Sequence, residues 1–307
     1  MTTLRFVVGG VAIIVATTAV ALALARPELG LEPTIVRAVA DVAAAVCLGL
    51  TLVARLDEDR YRDELTRRAS VPLAVAASVW LIAELSRIVV SAAQAAATPV
   101  AHLSVRTVLE FAWSTSTGRS GLFSLAAAAV VCVLAVAVPP AVTTWVGMTG
   151  IVTVGVAARA VTGHLSESML GAAAVVVHAV AAAVWCGTLA ALALTVTARG
   201  QWARVLPRFS QLALGCVVVL VGGGIIAALG PIGSPAALVT TAYGRILTAK
   251  IAITAGLLIL AWRNRTGWLT SARAHRLTAE ASLVRAVFEL ALMACALSLA
   301  AALTLTG

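Results

Sequence analysis

Apolar and polar positions alternate along this chain in long blocks: apolar runs of about 20 residues, enough to cross a hydrocarbon layer of ~30 Å as a helix, are separated by short polar breaks. About nine such runs stand out by this length criterion: 6–25, 35–54, 71–97, 120–138, 141–160, 168–196, 210–229, 244–262 and 282–305. Pro139-Pro140 divides what would otherwise be one overlong run, because proline cannot continue the helical hydrogen-bond ladder. The pattern predicts an all-α, polytopic transmembrane helical bundle. One polar break differs from the rest. Ser104 can cap a short helix in which Val105, Val108, Leu109 and Ala112 recur at helical spacing, with Trp113 near its end, so this segment is expected on the outer membrane surface.

Two pairs of segments repeat. Thr117-Gly118-Arg119 opens the fourth run and Tyr243-Gly244-Arg245 the eighth, 126 residues on (118 to 244). The stretch from Ala43 to Gly49 parallels that from Ala181 to Gly187, 138 residues on (49 to 187). Both pairs agree in order and direction, which divides the chain into a leading helix (1–30) and two parallel four-helix units (31–160 and 161–307). Asp41 then falls within one residue of the position equivalent to His178.

Composition supports the membrane reading. Hydrophobic residues make up 61% of the 307 positions and charged residues 11%, more apolar than one soluble core requires. The net charge of +9 would suit nucleic acid, but the arginines lie in short breaks between apolar runs, where they orient the chain, and nucleic-acid binding is excluded. Breaks 55–70, 197–209 and 263–281 carry most of them, and all three fall on one side of the nine-run topology. By the positive-inside rule that side is cytoplasmic, which puts the amino terminus inside and the carboxyl terminus outside. The first run has Arg5 before it and no small-residue cleavage site, so it reads as an uncleaved span. Cys47, Cys132, Cys186, Cys216 and Cys295 all lie in apolar runs without C-x-x-C spacing, which argues against a disulfide framework or a zinc ribbon.

Away from their ends the runs hold few ionisable residues: Asp41, Glu84, Arg87, His178, Lys250 and Glu289. Each must face protein or water and not lipid. Glu84 and Arg87, three apart, can pair on one helix face. Asp41 and Lys250 both fall in the outer third and can neutralise each other, while Glu289, in the inner third, suits a packing hydrogen bond or a pathway. His178 lies roughly 10 residues into its run, near mid-membrane at ~1.5 Å per residue. At the outer mouth of the same run His164, Glu167 and Met169 cluster, with His102 available from the neighbouring outer break. Copper(I) favours thioether and thiolate ligands and copper in general accepts imidazole, so these residue types suit copper. His164 and His178 are separated by ~21 Å of helical rise, which makes them a mouth site and a midplane site, not one site.

At these residues the chain resembles the copper resistance protein D family. The likeness comprises Gly163-His164, His178 followed by Trp185-Cys186-Gly187, Arg208-Phe209-Ser210, Tyr243-Gly244-Arg245 with Lys250, Asn264-Arg265, and Glu289-Leu290. It runs from about residue 162 onward, and the first half resembles the more variable half of the same proteins. The resemblance implies a non-enzymatic protein of the bacterial plasma (inner) membrane that handles copper, Cu(I) or Cu(II), moves it across the bilayer and works with an extracytoplasmic copper-binding partner. Two features depart from the family pattern. Gly187-Thr188 stands where two glycines are usual, and no methionine- or histidine-rich outer segment is present. The alternatives are a haem-binding electron-transfer or oxidase-assembly protein, with Met or Lys250 opposite His178, and a scaffold whose buried charges only lock helices together. No Ser-His-Asp order, zincin motif or phosphate-binding glycine loop supports hydrolysis.

The orientation is testable by labelling. A cysteine at Ser166 is expected to react with an impermeant thiol reagent in whole cells and one at Ser271 is not; the reverse pattern would invert the topology.

Overall fold

The computed structural model describes residues 17, 19, 20, 23, 31–161, 169–228, 237–274 and 276–304. Among them the regular structure is helical throughout, with no strand. The helices are α1 (Leu31–Leu52), α2 (Arg62–Ala95), α3 (Val105–Ser114), α4 (Ser116–Ala137), α5 (Val142–Ala160), α6 (Met169–Thr195), α7 (Arg199–Ala228), α8 (Ala237–Thr240), α9 (Ala242–Arg263), α10 (Leu269–Arg273) and α11 (Ala279–Leu303).

Seven of them (α1, α2, α4, α6, α7, α9 and α11) are long and apolar enough to cross a membrane. These match seven of the nine expected runs. The run 141–160 is also one helix, α5, of 19 residues, outside that set. The run 6–25 lies largely outside the described residues. Its Thr17 hydroxyl donates to Cys295 Sγ at 3.1 Å, which sets that helical position beside α11.

Several breaks expected to be loops are helical. Residues 53–61 form two short 3-10 turns, and α2 begins at Arg62, well before the expected 71. Glu64 explains the early start: Arg67 Nη2 and Arg68 Nε, three and four residues on, donate to it at 2.6 and 2.7 Å, the spacing at which ion pairs support a helix. At the same end of the bundle α9 runs through a π-helical turn, Asn264–Trp268, into α10. The surface helix takes the expected form. Ser104 Oγ accepts from the Thr107 N–H at 3.1 Å, and Val105, Leu109 and Trp113 form an exposed apolar stripe while Ala112 is buried.

Helix α1 is the hub, packing against α2, α5, α6 and α11. Alanine is the commonest residue on its buried face: Ala38, Ala40, Ala43, Ala44 and Ala45, with Gly49 beyond them. Small side chains let helix backbones approach closely where lipid supplies no hydrophobic drive between them. The closest approach is to α6, where Gly49 meets Gly187. A methyl group on Gly49 would strike the Gly187 carbonyl, and one on Gly187 would strike the Ala45 carbonyl oxygen. Thr188 beside this crossing is fully buried, its hydroxyl turned back onto the Val184 carbonyl at 2.5 Å, so the departure from a second glycine is accommodated inside α6.

A latch ties the two halves together at the arginine-rich end. Arg204 donates to buried Asp57 through Nε at 2.9 Å and Nη2 at 3.1 Å, and its guanidinium lies 3.9 Å from the Tyr61 ring centroid. Arg208 reaches the Leu56 carbonyl at 3.4 Å, and Arg68 reaches Thr197 Oγ1 at 2.9 Å. These arginines therefore also join helices, a role their loop positions alone did not suggest.

Because neither glycine can accept a side chain without moving backbone, Gly187→Ala or Gly49→Ala should destabilise the fold by roughly 1–3 kcal/mol. Gly147→Ala, with nothing within 4 Å of a new Cβ, is the control. Thermal unfolding in detergent checks this: a Gly187→Ala melt equal to that of Gly147→Ala would show the crossing to be looser than described.

Candidate functional site

Two polar sites are built into the apolar bundle, one in each half. The first forms where α1, α2, α4 and α5 meet. Glu84 of α2 is 1% exposed, and its Oε2 accepts from Arg159 Nε at 2.9 Å and from Arg159 Nη2. Its Oε1 accepts from Ser124 Oγ of α4 at 3.0 Å and from Arg87 Nη1 at 3.5 Å. Arg87 also donates to Asp41 Oδ1 at 3.3 Å, and Arg37 Nε stands 3.9 Å from Asp41 Oδ2. Glycine makes room for this cluster: a Cβ on Gly121 would sit 3.0 Å from Arg159 Nη2. A buried carboxylate bonded by guanidinium forks and a hydroxyl is satisfied, which is the condition for keeping charge away from water.

The expected Glu84–Arg87 pair is thus real but is one edge of a larger network. The expected partnership of Asp41 with Lys250 is replaced: Asp41 binds Arg37 and Arg87. The reason is local. Arg37 lies one helical turn before Asp41 on α1, and Arg87 faces it from α2. Arg37, Arg159 and Ser124 were not singled out in the sequence. Both arginines sit within a few residues of a run boundary, where arginine reads as an interfacial residue, and nothing in a linear pattern indicates that Arg159 turns inward.

The second site lies in α6, α7, α9 and α11. His178 is half-buried within α6, and α7 presents Gly223 to it, so that a methyl group there would stand 3.4 Å from Nδ1. Lys250 of α9, also half-buried, is within Coulombic range of His178. Towards the arginine-rich end, Cys186 of α6 is within Coulombic range of Cys216 of α7 and of Glu289 of α11. Glu289 is 2% exposed and accepts from Asn264 Nδ2 at 2.6 Å. Beside it is a cavity of about 120 Å³, lined chiefly by apolar side chains of α7 and α9 and including Asn264, Arg265 and Trp268 of the π-helical turn. Arg265 is held by Ser210, donating to its carbonyl at 2.9 Å and its Oγ at 2.8 Å.

Of the remaining expected residues, His164 and Glu167 lie outside the described residues, as does the Met169 side chain. His102 is exposed at the end of a short 3-10 turn, Val100–His102. Tyr243 and Arg245 open α9, where Thr241 Oγ1 accepts from the Gly244 N–H at 2.9 Å and Arg245 Nη1 donates to the Thr240 carbonyl at 3.1 Å. The same cap opens α4: Thr115 Oγ1 accepts from the Gly118 N–H at 2.9 Å, and Arg119 donates to the Trp113 carbonyl at 3.3 Å. Thr241 with Arg245, and Thr115 with Arg119, thus hold the starts of their helices in both halves. Among the described residues no three of His, Cys, Asp and Glu gather into a group able to hold a metal ion, and His178 is the one histidine inside a helix of spanning length. The haem alternative finds no support in this arrangement.

Compared with known families, residues 203–303 match the model of Copper resistance protein D, and residues 33–171 match that of the Copper resistance protein D-like N-terminal domain. Neither a curated protein nor a solved structure matches the chain.

The first cluster is expected to behave as a structural unit. Glu84→Ala leaves buried arginine charge uncompensated and should destabilise the protein by roughly 3–5 kcal/mol. Glu64→Ala, which removes only exposed ion pairs, should have a far smaller effect. Equal unfolding midpoints for the two variants would refute the assignment.

Proposed function

From the premise that this chain belongs to the copper resistance protein D family, with a role in copper resistance, we propose that it carries copper ions across a bacterial plasma membrane as part of copper homeostasis. The observation carrying this reading is His178, an imidazole held within a spanning helix beside a glycine that leaves space at Nδ1. Polar side chains at that depth are costly and tend to mark ion pathways.

Imidazole accepts copper in either oxidation state, and thiols favour Cu(I). His178, then Cys186 with Cys216, then Glu289 with its cavity form a descending series through the second half, from mid-membrane towards the arginine-rich end. His164, Glu167 and Met169, with His102, are proposed as the extracytoplasmic mouth, where a copper-binding partner protein would deliver or receive the ion. Lys250 would keep a bare cation from resting at His178 alone.

Two parallel four-helix units, 31–160 and 161–307, are part of the same reading. In favour are the matching caps at Thr115 and Thr241 and an internal proline in the second long helix of each unit, Pro72 and Pro207. The 126-residue offset that relates the caps also relates Ser124, in the ionic cluster, to Lys250, near His178. The first unit would then be a sealed counterpart of the unit that conducts.

The test is copper flux into proteoliposomes carrying equal amounts of wild-type and His178→Gln protein. An amide cannot replace imidazole as a copper ligand or exchange a proton near neutral pH, so flux should be lost while the melting temperature is retained. Equal flux would make His178 a packing residue, whose interhelical hydrogen bond would be worth only ~0.6 kcal/mol.

A further inference from the structure

The ionic cluster of the first half is satisfied on its inner side and unsatisfied on its outer side. Both oxygens of Glu84 are engaged by Arg159, Arg87 and Ser124. Arg37 has Asp41 as its one carboxylate neighbour, at 3.9 Å, and shares it with Arg87, which lies 3.3 Å from Asp41 and also reaches Glu84. Asp41 is itself 35% exposed, so it screens them weakly. Arg37 is the outlier: its Nε is buried without a hydrogen-bond partner, although its side chain is only 18% exposed. A guanidinium carries five N–H donors in a planar fork, and burying such donors unpaired is costly.

Arg37 and Arg87 line a cavity of about 30 Å³ between α1 and α2, together with Pro33, Val36, Val90, Ser91 and Gln94. Ser91 and Gln94 add a hydroxyl and an amide, and the lining includes no carboxylate. Gln94 is exposed, so the cavity opens towards the end of the bundle away from the arginine latch. A space of this size admits one or two oxygen-sized atoms. Arg37 stands about 9 Å along α1 from its start, a depth from which an arginine reaches the membrane interface.

We propose that this cavity is an anion site that takes the oxygens of a phosphate group, with Arg37 and Arg87 as its cationic walls and Gln94 at its mouth. Planar guanidinium forks match phosphate oxygens in pairs, and a phosphate here would meet the cationic side chains of Arg37 and Arg87 with no carboxylate in the lining to oppose it. The group can come from an anionic phospholipid headgroup or from free inorganic phosphate. The inference does not depend on copper transport.

The full chain, purified in neutral detergent and stripped of lipid, is titrated with sodium phosphate against sodium gluconate at equal ionic strength, and separately with phosphatidylglycerol against phosphatidylcholine. Thermal unfolding is the readout. The melting temperature should rise with phosphate, which identifies the free ion, or with phosphatidylglycerol alone, which identifies the headgroup. Arg37→Gln should abolish the rise, and Arg37→Lys, which keeps charge but loses the fork, should raise the half-saturating concentration about tenfold or more. Arg106→Gln, at an exposed arginine of α3 paired with Glu110, should respond as wild type. If Arg37→Gln fails to fold, Gln94→Glu places a negative charge at the mouth without disturbing the cluster and should also abolish the rise. No rise with either titrant, or an undiminished rise in these variants, overturns the proposal.

Discussion

The contact of Gly49 with Gly187 is the constraint on which the remaining structure depends. Helices α1 and α6 approach there until backbone meets backbone, so no side chain fits on either side. In a bilayer this matters more than it would in water: lipid tails are as apolar as leucine, and helices associate through close packing and hydrogen bonds and not by hiding from solvent. The crossing fixes α1 against α6, and α1 in turn carries α2, α5 and α11. At the arginine-rich end Asp57, just after α1, is tied to Arg204 of α7, and Trp202 of α7 packs against Trp268 with the rings tilted at 48° and their centroids 5.7 Å apart. Both halves of the molecule are therefore one packed body around a pair of small residues.

The two halves handle polar groups differently. In the first half every carboxylate of the buried cluster has a guanidinium partner, and Gly121 leaves the space that the Arg159 guanidinium occupies. In the second half His178 has glycine beside it, and Lys250 is near it instead of an opposite charge. Filled with ion pairs, a polar pocket is rigid. Left with space and a basic residue, it can accept and release a ligand. This contrast underlies the proposed division of labour between a sealed unit and a conducting one.

Arginine serves three purposes in this chain, and position in the sequence separates only one of them. Arg60 and Arg67 are exposed and sit at the end of the bundle that the charge bias assigns to the cytoplasm. Arg204 and Arg208 lie in the same stretch of sequence but join the halves. Arg87 and Arg159 are buried among helices, and Arg37 lines a cavity.

The helical class, seven long apolar helices, the Pro139-Pro140 division, the short helix capped by Ser104 and the Glu84–Arg87 pair were all legible in the sequence. Each depends on local physics: the length of an apolar run, proline chemistry, capping, or side chains one turn apart. The family was legible for a related reason, since its motifs are short and contiguous. What the sequence left open was which distant residues meet. The likeness between the stretches ending at Gly49 and Gly187 was readable as a repeat, but that the two stretches pack on each other was not. Asp41 was expected to pair with Lys250; Arg37, one turn before it on α1, is a local partner that spacing could have shown, and only the packing of α1 on α2 added Arg87. Arg159 and Ser124 joined the site because α4 and α5 turn those faces towards α2. Such choices are made by tertiary packing, because a buried charge takes whichever partner the crossing helices bring within a few ångströms, and linear spacing carries no record of that.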